Sequence, residues 1–238
     1  MLLLDIGNSR LKWALADGRR LDPVTARDHG GRPADLIAGL KLPPADAVWV
    51  AHVMGAAHEA EIARAIRRRC GVNPRFARST ARRAGLRIAY RDPSRLGVDR
   101  FLAMLALRTQ TRRAFCVAGA GTALTFDAVD ARGRHLGGLI APGLSTAWTA
   151  VRGATRFALR PKPANYTRGL GSDTDACVRQ GTLHACVGLI EHAARGLRGV
   201  RVLHGGDAAT LRRHLGRGWT LKPDLVLQGL LAYGRSEP

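Results

Sequence analysis

The chain opens with MLLLDIGNSRLKWAL, residues 1–15, and its architecture can be derived outward from this stretch. The apolar run 1–6 is typical of a short buried strand, Gly7-Asn8-Ser9 is a turn signal, and residues 11–15 predict a second strand. We therefore expect a tight hairpin whose turn presents Gly7, Asn8 and Ser9.

A weaker copy of this pattern lies 114 residues further along the chain, where AGAGT at 118–122 precedes Leu124-Thr125-Phe126. Each copy reads as a strand, a glycine turn with a hydroxyl residue, and a second strand. Because the offset is about half of the 238 residues, the sequence predicts two related halves, 1–112 and 113–238, whose turns face a shared cleft.

The remaining segments alternate between strand and helix patterns. Helices are predicted at 59–70, 96–109, 173–197 and 224–233, strands at 47–53, 114–118, 123–129, 136–140 and 200–203, and a loop at Pro161-Lys162-Pro163. This alternation indicates an α/β protein with mixed sheets flanked by helices.

Arginine dominates the charged residues. The chain has 38 Lys+Arg against 18 Asp+Glu, for a net charge of +20; 34 of the 38 are Arg, and residues 64–100 hold 12 of them. A hydrophobic content of 46% argues against disorder. The charge favours anionic partners such as nucleic acid, acidic lipid or phosphorylated metabolites, although arginine spread through a whole chain also fits a coding bias.

The pattern argues against several classes of protein. Residues 1–6 lack the basic segment of a signal peptide, and no apolar run reaches the roughly 18 residues of a membrane span. The cysteines, at 70, 116, 177 and 186, have no metal-binding spacing. We expect a reduced, cytoplasmic protein with no membrane partner.

Asp5-x-Gly7-Asn8-Ser9 suits a metal–phosphate site. Glycine lets the backbone approach a phosphate, backbone N–H groups and the Ser9 hydroxyl can donate to its oxygens, and Asp5 can bind Mg²⁺ directly or through water. Lys12 would add a cation. An ordinary hairpin turn explains this motif equally well when it is taken alone.

Three further motifs extend the predicted site. Gly121-Thr122 matches the first turn, and Gly205-Gly206 follows a predicted strand where a nucleotide can approach. In Gly97-Val98-Asp99-Arg100, Asp99 suits a general base and Arg100 a partner for a substrate carboxylate. Taken alone, Asp99 is more simply explained as an acidic residue that stabilises a helix N-terminus.

Together these motifs resemble the type III pantothenate kinases of the acetate kinase/sugar kinase/Hsp70/actin superfamily. Six matching pieces occur in order: DIGNSRLK at 5–12, YRDPSRLGVDR at 90–100, GTALTFD at 121–127, GGLIAPG at 137–143, SDTDACVRQG at 172–181 and HGGDA at 204–208. The resemblance implies ATP-dependent phosphorylation of pantothenate, the first step of coenzyme A synthesis. It also implies two ribonuclease-H-like (actin-like) halves with a nucleotide cleft between them, and a homodimer with the pantothenate pocket at its interface.

The resemblance further implies a role for each matching residue. Asp99 is the catalytic base and Asp5 the carboxylate associated with Mg²⁺. The implied ATP-binding positions are Asp5, Ile6, Gly7, Asn8, Ser9, Arg10, Leu11, Lys12, Gly121, Thr122, Gly205 and Gly206, and the implied pantothenate-binding positions are Tyr90, Gly97, Val98, Asp99, Arg100 and Thr174.

Two positions depart from the family pattern. Gly119 stands where the second phosphate loop usually begins with Asp, and His204 stands where a Thr commonly precedes GGDA. In the family that Asp helps to bind a monovalent cation, K⁺ or NH₄⁺. We therefore expect the activity of this chain to depend little on potassium.

Two other functions are compatible with the sequence. The basic stretch 64–100 suggests a nucleic-acid-binding or transcription-regulating relative, against which the 5% aromatic content and the lack of a clear recognition helix argue. Gly119 suggests a non-catalytic, ATP-binding member of the family, against which the presence of both Asp5 and Asp99 argues.

Overall fold

The computed structural model describes residues 1–18, 20–156 and 165–236. It divides the chain into unit 1, Met1–Arg112 with Asp224–Pro238, and unit 2, Arg113–Pro223. The loop predicted at 161–163 lies outside the described residues. Within the described ranges, each helix is too short or too polar to cross a bilayer.

Unit 1 is built around one mixed sheet. Its elements are β1 (Leu2–Ile6), β2 (Arg10–Asp17), β3 (Arg20–Leu21), β4 (Thr25–Asp28), α1 (Pro33–Gly39), β5 (Val48–His52), α2 (Ala56–Cys70), β6 (Arg75–Phe76), a hairpin of β7 (Arg82–Arg83) and β8 (Leu86–Arg87), a 3₁₀ turn (Pro93–Arg95), α3 (Val98–Gln110) and α7 (Leu225–Arg235). The strands lie in the order β3-β2-β1-β5-β6, with β4 also paired to β2.

The position of β1 at the centre of this sheet explains its composition. It pairs antiparallel with β2 and parallel with β5. Leu2, Leu3 and Leu4 are all fully buried, as expected for a strand covered on both faces. The predicted hairpin is therefore confirmed, and its turn comprises residues 7–9.

Unit 2 repeats the arrangement. Its elements are β9 (Phe115–Ala120), β10 (Ala123–Val129), β11 (His135–Pro142), α4 (Leu144–Ala154), α5 (Thr174–Ala193), β12 (Val200–His204), α6 (Ala208–Arg212) and β13 (Trp219–Leu221). The strand order is β11-β10-β9-β12-β13. Like β1, β9 pairs antiparallel with the next strand and parallel with a later one. The predicted α/β class, with mixed sheets flanked by helices, is confirmed.

The register shows which residues of the two sheets correspond. Asp5 on β1 lies opposite Lys12 on β2 and Ala51 on β5. Gly119 on β9 lies opposite Thr125 on β10 and His204 on β12. Asp5 and Gly119 therefore hold equivalent positions, as the 114-residue offset predicted.

The C-terminal helix differs from the predicted division at 113–238, because α7 belongs to unit 1. Gly229 packs so closely on α3 that a side chain there would collide with the backbone of Leu102. The Tyr233 ring lies edge-on to Trp49 (5.6 Å between centroids) and to Phe101 (6.3 Å). These contacts join residues far apart in sequence. A division of the chain into 1–112 and 113–238, which rests on the sequence repeat alone, cannot predict them.

Candidate active site

The first predicted phosphate loop is the turn between β1 and β2, and it is braced by a histidine from outside the motif. The Gly7 N–H donates to the Arg10 carbonyl (2.9 Å), and the His29 N–H donates to the Ser9 carbonyl (3.1 Å). His29 Nδ1 accepts from the Gly31 N–H (3.1 Å), so the neutral ring carries its proton on Nε2, which donates to the Gly7 carbonyl (2.9 Å). The loop conformation is thus fixed independently of any ligand.

The residues predicted around this loop differ in what they can offer a ligand. Asn8 and Ser9 are exposed. Arg10 is engaged in an ion pair with Asp28 (2.8 Å). The side chains of Ile6 and Leu11 are fully buried in the apolar core, so only their backbone groups are available to a nucleotide.

Asp5 is an electrostatically unusual carboxylate. Burial raises its pKa to about 7; the facing Lys12 acts to lower the pKa, and the Asp99 carboxylate acts to raise it. The structure therefore brings the ends of β1 and α3 close enough for Asp5 and Asp99 to interact. A carboxylate pair that resists losing its last proton is suited to binding a cation.

Asp99 lies in the first turn of α3, whose N-terminal boundary residue is Gly97. Its Oδ1 accepts a hydrogen bond from the Arg100 N–H (2.8 Å). A Cβ atom at residue 97 would lie 2.7 Å from that oxygen. Glycine at 97 therefore leaves the room that the carboxylate occupies, and Val98 begins the helix between them.

Arg100 is a buried cation, 5% exposed. Its Nη1 donates to the Tyr90 hydroxyl (3.0 Å), and the guanidinium lies 5.9 Å from the centre of that ring. Tyr90, Gly97, Val98, Asp99 and Arg100 thus form one cluster in unit 1. A guanidinium fixed in this way presents a planar donor fork, which suits a carboxylate ligand.

The second predicted phosphate loop, Gly121-Thr122, joins β9 to β10 in unit 2. The Thr122 carbonyl accepts hydrogen bonds from the Gly143 N–H (3.0 Å) and from the Thr146 hydroxyl (2.6 Å). A side chain at Gly143 would collide with the Gly121 carbonyl. The start of α4 therefore holds this loop in place.

The Gly205-Gly206 turn adjoins the same loop. The Asp207 N–H donates to the carbonyl of Ala120 (3.0 Å), the last residue of β9. Gly205 has φ of +96°, and a Cβ atom there would collide with the Ala120 backbone, so glycine is needed for this approach. Thr174, the remaining predicted substrate residue, begins α5 of unit 2 after the capping residue Asp173.

Mg²⁺ fits the carboxylates present. Among the described residues no group of three or more His, Cys, Asp or Glu side chains could hold a metal. Mg²⁺ does not need such a cage, because it is usually bound through one or two carboxylates together with substrate phosphates and water. Asp5, which lies at the end of β1 and interacts electrostatically with Lys12 and Asp99, could supply one such carboxylate.

Comparisons with known proteins point to one family. Residues 1–196 match the family model of the type III pantothenate kinases. A type III pantothenate kinase from Xanthomonas campestris pv. campestris (strain B100) is 42% identical over 237 residues, which cover 97% of this chain and 96% of that protein. A protein from Xanthomonas axonopodis pv. citri with the same name is 40% identical over 238 residues, which cover 97% of this chain and 96% of that protein.

One solved structure extends the similarity of fold. It is a protein from Campylobacter jejuni assigned to the Baf family of transcriptional activators, with a TM-score of 0.68 at 19% identity. The match covers 99% of this chain and 98% of that one. At this level of identity the likeness concerns the fold alone.

Proposed function

Because this chain belongs to the type III pantothenate kinases, we propose that it transfers the γ-phosphoryl group of ATP to pantothenate, with Asp99 as general base. The product is 4′-phosphopantothenate, and the step is the first of coenzyme A biosynthesis. The family match carries this conclusion, and the pairing of Asp5 with Asp99 at one end of unit 1 supports it. We expect the enzyme to work in the cytoplasm.

Asp99 orients the substrate hydroxyl and accepts its proton. As the hydroxyl oxygen bonds to the γ-phosphorus, the bond from phosphorus to the ADP oxygen breaks and the proton passes to the Asp99 carboxylate. In a loose phosphoryl-transfer transition state this proton moves late, so an ordinary carboxylate is basic enough. The hydrogen bond from the Arg100 N–H to Oδ1 fixes the carboxylate for this task.

Asp5 is the residue that would hold Mg²⁺. When bound, Mg²⁺ neutralises charge on the phosphates during transfer. Because the pKa of Asp5 is about 7, a proton competes with the metal for this carboxylate below neutral pH. Lys12, which opposes that rise in pKa, also supplies a positive charge beside the first loop.

Arg100 would bind the pantothenate carboxylate. The Arg100 guanidinium is buried and donates from Nη1 to the Tyr90 hydroxyl, and its planar shape suits a carboxylate. Gly97 and Val98 shape the same cluster. Thr174 of unit 2 is proposed to contact pantothenate as well.

Both phosphate loops are proposed to bind ATP. Gly7, Asn8, Ser9 and Lys12 would do so from unit 1. Gly121, Thr122, Gly205 and Gly206 would do so from unit 2. Support comes from the bracing of each loop by hydrogen bonds to its own unit, since loops fixed in advance lose less entropy on binding.

A homodimer is proposed for the working enzyme, with the pantothenate pocket at its interface. The supporting observation is β11, an edge strand of unit 2 whose Leu136, Leu139 and Ile140 side chains are 56%, 47% and 65% exposed. Apolar side chains clustered on an edge strand are typical of a surface that pairs with another chain. Ile140→Glu should shift the sedimentation coefficient to that of a monomer, and an unchanged coefficient would contradict this interface.

A coupled ADP-release assay tests the activity. We expect ADP production to require both pantothenate and Mg²⁺-ATP, and the product to carry one phosphate by mass spectrometry. ADP release that does not depend on pantothenate would contradict the proposed substrate.

A further inference from the structure

Two side chains of unit 2 converge over Gly119. A Cβ atom built at this position would lie 2.7 Å from Thr125 Oγ1 and 2.9 Å from His204 Nε2. Both residues are direct strand neighbours of Gly119, Thr125 on β10 and His204 on β12. The space that would receive a side chain at 119 is therefore taken up by a hydroxyl and an imidazole.

This space corresponds to the position of the Asp5 carboxylate in unit 1. The central strands β1 and β9 match in register. Where β1 carries the Asp5 carboxylate, β9 has no side chain, and Nε2 of His204 from the neighbouring strand β12 lies there instead. The lack of a side chain at Gly119 is what admits the ring. A side chain at residue 119 and the His204 ring would therefore compete for the same space.

His204 also lies where the two nucleotide-binding segments of unit 2 meet. It directly precedes Gly205-Gly206, and the turn that follows is hydrogen-bonded to Ala120, the residue before Gly121. The His204 residue is only half-buried. His204 therefore lies at the end of the sheet beside both segments, where part of the residue is accessible to solvent.

We propose that His204 is a phosphate-binding residue of the ATP site, donating a hydrogen bond from its imidazole to a phosphate oxygen. This inference rests on the proposed binding of ATP by Gly121, Thr122 and the Gly205-Gly206 turn. An imidazole has an N–H donor in both of its protonation states, whereas an ionised carboxylate at 119 would repel a phosphate. A donor to phosphate forms a charge-assisted hydrogen bond.

The test is equilibrium binding of ATP and of adenosine to wild type, His204→Ala and His204→Gln, measured by calorimetry. Loss of a hydrogen bond to a charged group should weaken ATP binding by about tenfold or more in His204→Ala. Adenosine affinity should not change, because adenosine has no phosphate. His204→Gln keeps an N–H donor and should recover part of the ATP affinity, while His192→Gln, a change on the exposed surface of α5, should match wild type.

Gly119→Ala provides a second variant that retains the imidazole. The added methyl group needs the space near His204 Nε2 and Thr125 Oγ1, so it should displace the ring and weaken ATP binding without affecting adenosine. ATP affinity that survives His204→Ala would overturn the proposal, and so would an equal loss of ATP and adenosine affinity, which would indicate a packing role. Failure of wild type to bind ATP would instead overturn the proposed function.

Discussion

Asp99 and Asp5 interact electrostatically within unit 1 but differ in their surroundings. Asp99 accepts a hydrogen bond at the start of a helix, where negative charge is stabilised. Asp5 is buried enough for its pKa to rise to about 7. Their different environments suit the two proposed roles, proton acceptor and metal ligand.

Asp99→Asn tests the base. The amide has nearly the same shape but cannot take up the substrate proton, so kcat should fall by about 10²–10⁴-fold. The thermal midpoint of unfolding should fall only slightly, because the lost charge stabilises the helix start weakly. Asp92→Asn, an exposed carboxylate before the 3₁₀ turn, should leave kcat at the wild-type value. Near-normal turnover in Asp99→Asn would remove Asp99 from the base role.

Asp5→Asn tests the raised pKa. Between pH 4 and pH 7 the folded protein holds a proton on Asp5 that the unfolded chain has already lost, so Asp5 makes folding less favourable as the pH rises. The free energy of unfolding of wild type minus that of Asp5→Asn should therefore decrease by up to about 3 kcal/mol between pH 5 and pH 7. Urea titrations of both proteins without Mg²⁺ would measure this, and a pH-independent difference would contradict the shift.

Gly119 leads to a prediction about monovalent cations. Because it contributes no carboxylate to the second loop, we expect kcat and KM to change little when potassium is replaced by a large organic cation. The ADP-release assay, repeated over a potassium titration, measures this directly. A steep potassium dependence would show that other groups form the ion site.

The sequence indicated which residues lie close together where a motif fixed their spacing. Gly97, Asp99 and Arg100 lie together because they begin one helix, a local arrangement that the sequence displays. His29 was not predicted, because its contact with Gly7 joins residues 22 positions apart with no shared pattern. Strand pleating explains why Ile6, next to Asp5 in the motif, packs its side chain in the core instead.

Among the elements, α4 (Leu144–Ala154) is a helix that the sequence pattern did not predict. No helix was predicted at 144–154, because Thr146, Thr149 and Gly153 lower its helix propensity and its boundary residue Gly143 offers no capping side chain. By contrast, β10 has the predicted bounds, because a glycine turn and an arginine–glycine turn delimit an apolar run of strand length. This helix α4 holds the loop Gly121-Thr122, which the sequence predicts to bind phosphate.

Gly143→Ala tests this role of α4. The new methyl group would collide with the Gly121 carbonyl, so we expect unit 2 to lose about 1–3 kcal/mol of stability and the KM for ATP to rise. Gly153→Ala lies in the same helix with open space around it and should instead raise stability by up to about 1 kcal/mol. An unchanged KM for ATP in Gly143→Ala would contradict the proposed part of the loop in ATP binding.

At the scale of the whole molecule, several arginines of unit 1 make structural contacts within that unit. The guanidinium carbon of Arg83 lies 3.6 Å from the centre of the Tyr233 ring. Arg78 donates a hydrogen bond to the Glu59 carboxylate, and Arg108 donates one to the Gly85 carbonyl. Arg78 and Arg83, which belong to the basic stretch 64–100, therefore have partners within unit 1. Retention of DNA on filters at about 0.15 M salt would test what remains of that alternative.

Deletion of residues 225–238 tests the assignment of α7. The helix buries Leu225, Leu227, Leu230 and Tyr233, and removing several such side chains, at about 2–5 kcal/mol each, exceeds the margin of a typical domain. In hydrogen exchange, amides of 1–112 should lose protection while those of 113–223, which have their own core, keep it. Retained protection in 1–112 would contradict the assignment.

Because α7 belongs to unit 1, that unit is formed from two separate stretches of sequence. This arrangement determines the order in which the two units can fold during synthesis. Residues 113–223 leave the ribosome as one uninterrupted run and can fold during synthesis, in keeping with the folding of domains as units. Residues 1–112 emerge first but complete their fold later, since the apolar surface of Leu102 and Trp49 stays uncovered until residues 225–235 have been made. Nascent chains stalled before codon 225 should therefore bind chaperones through residues 1–112, which are translated first.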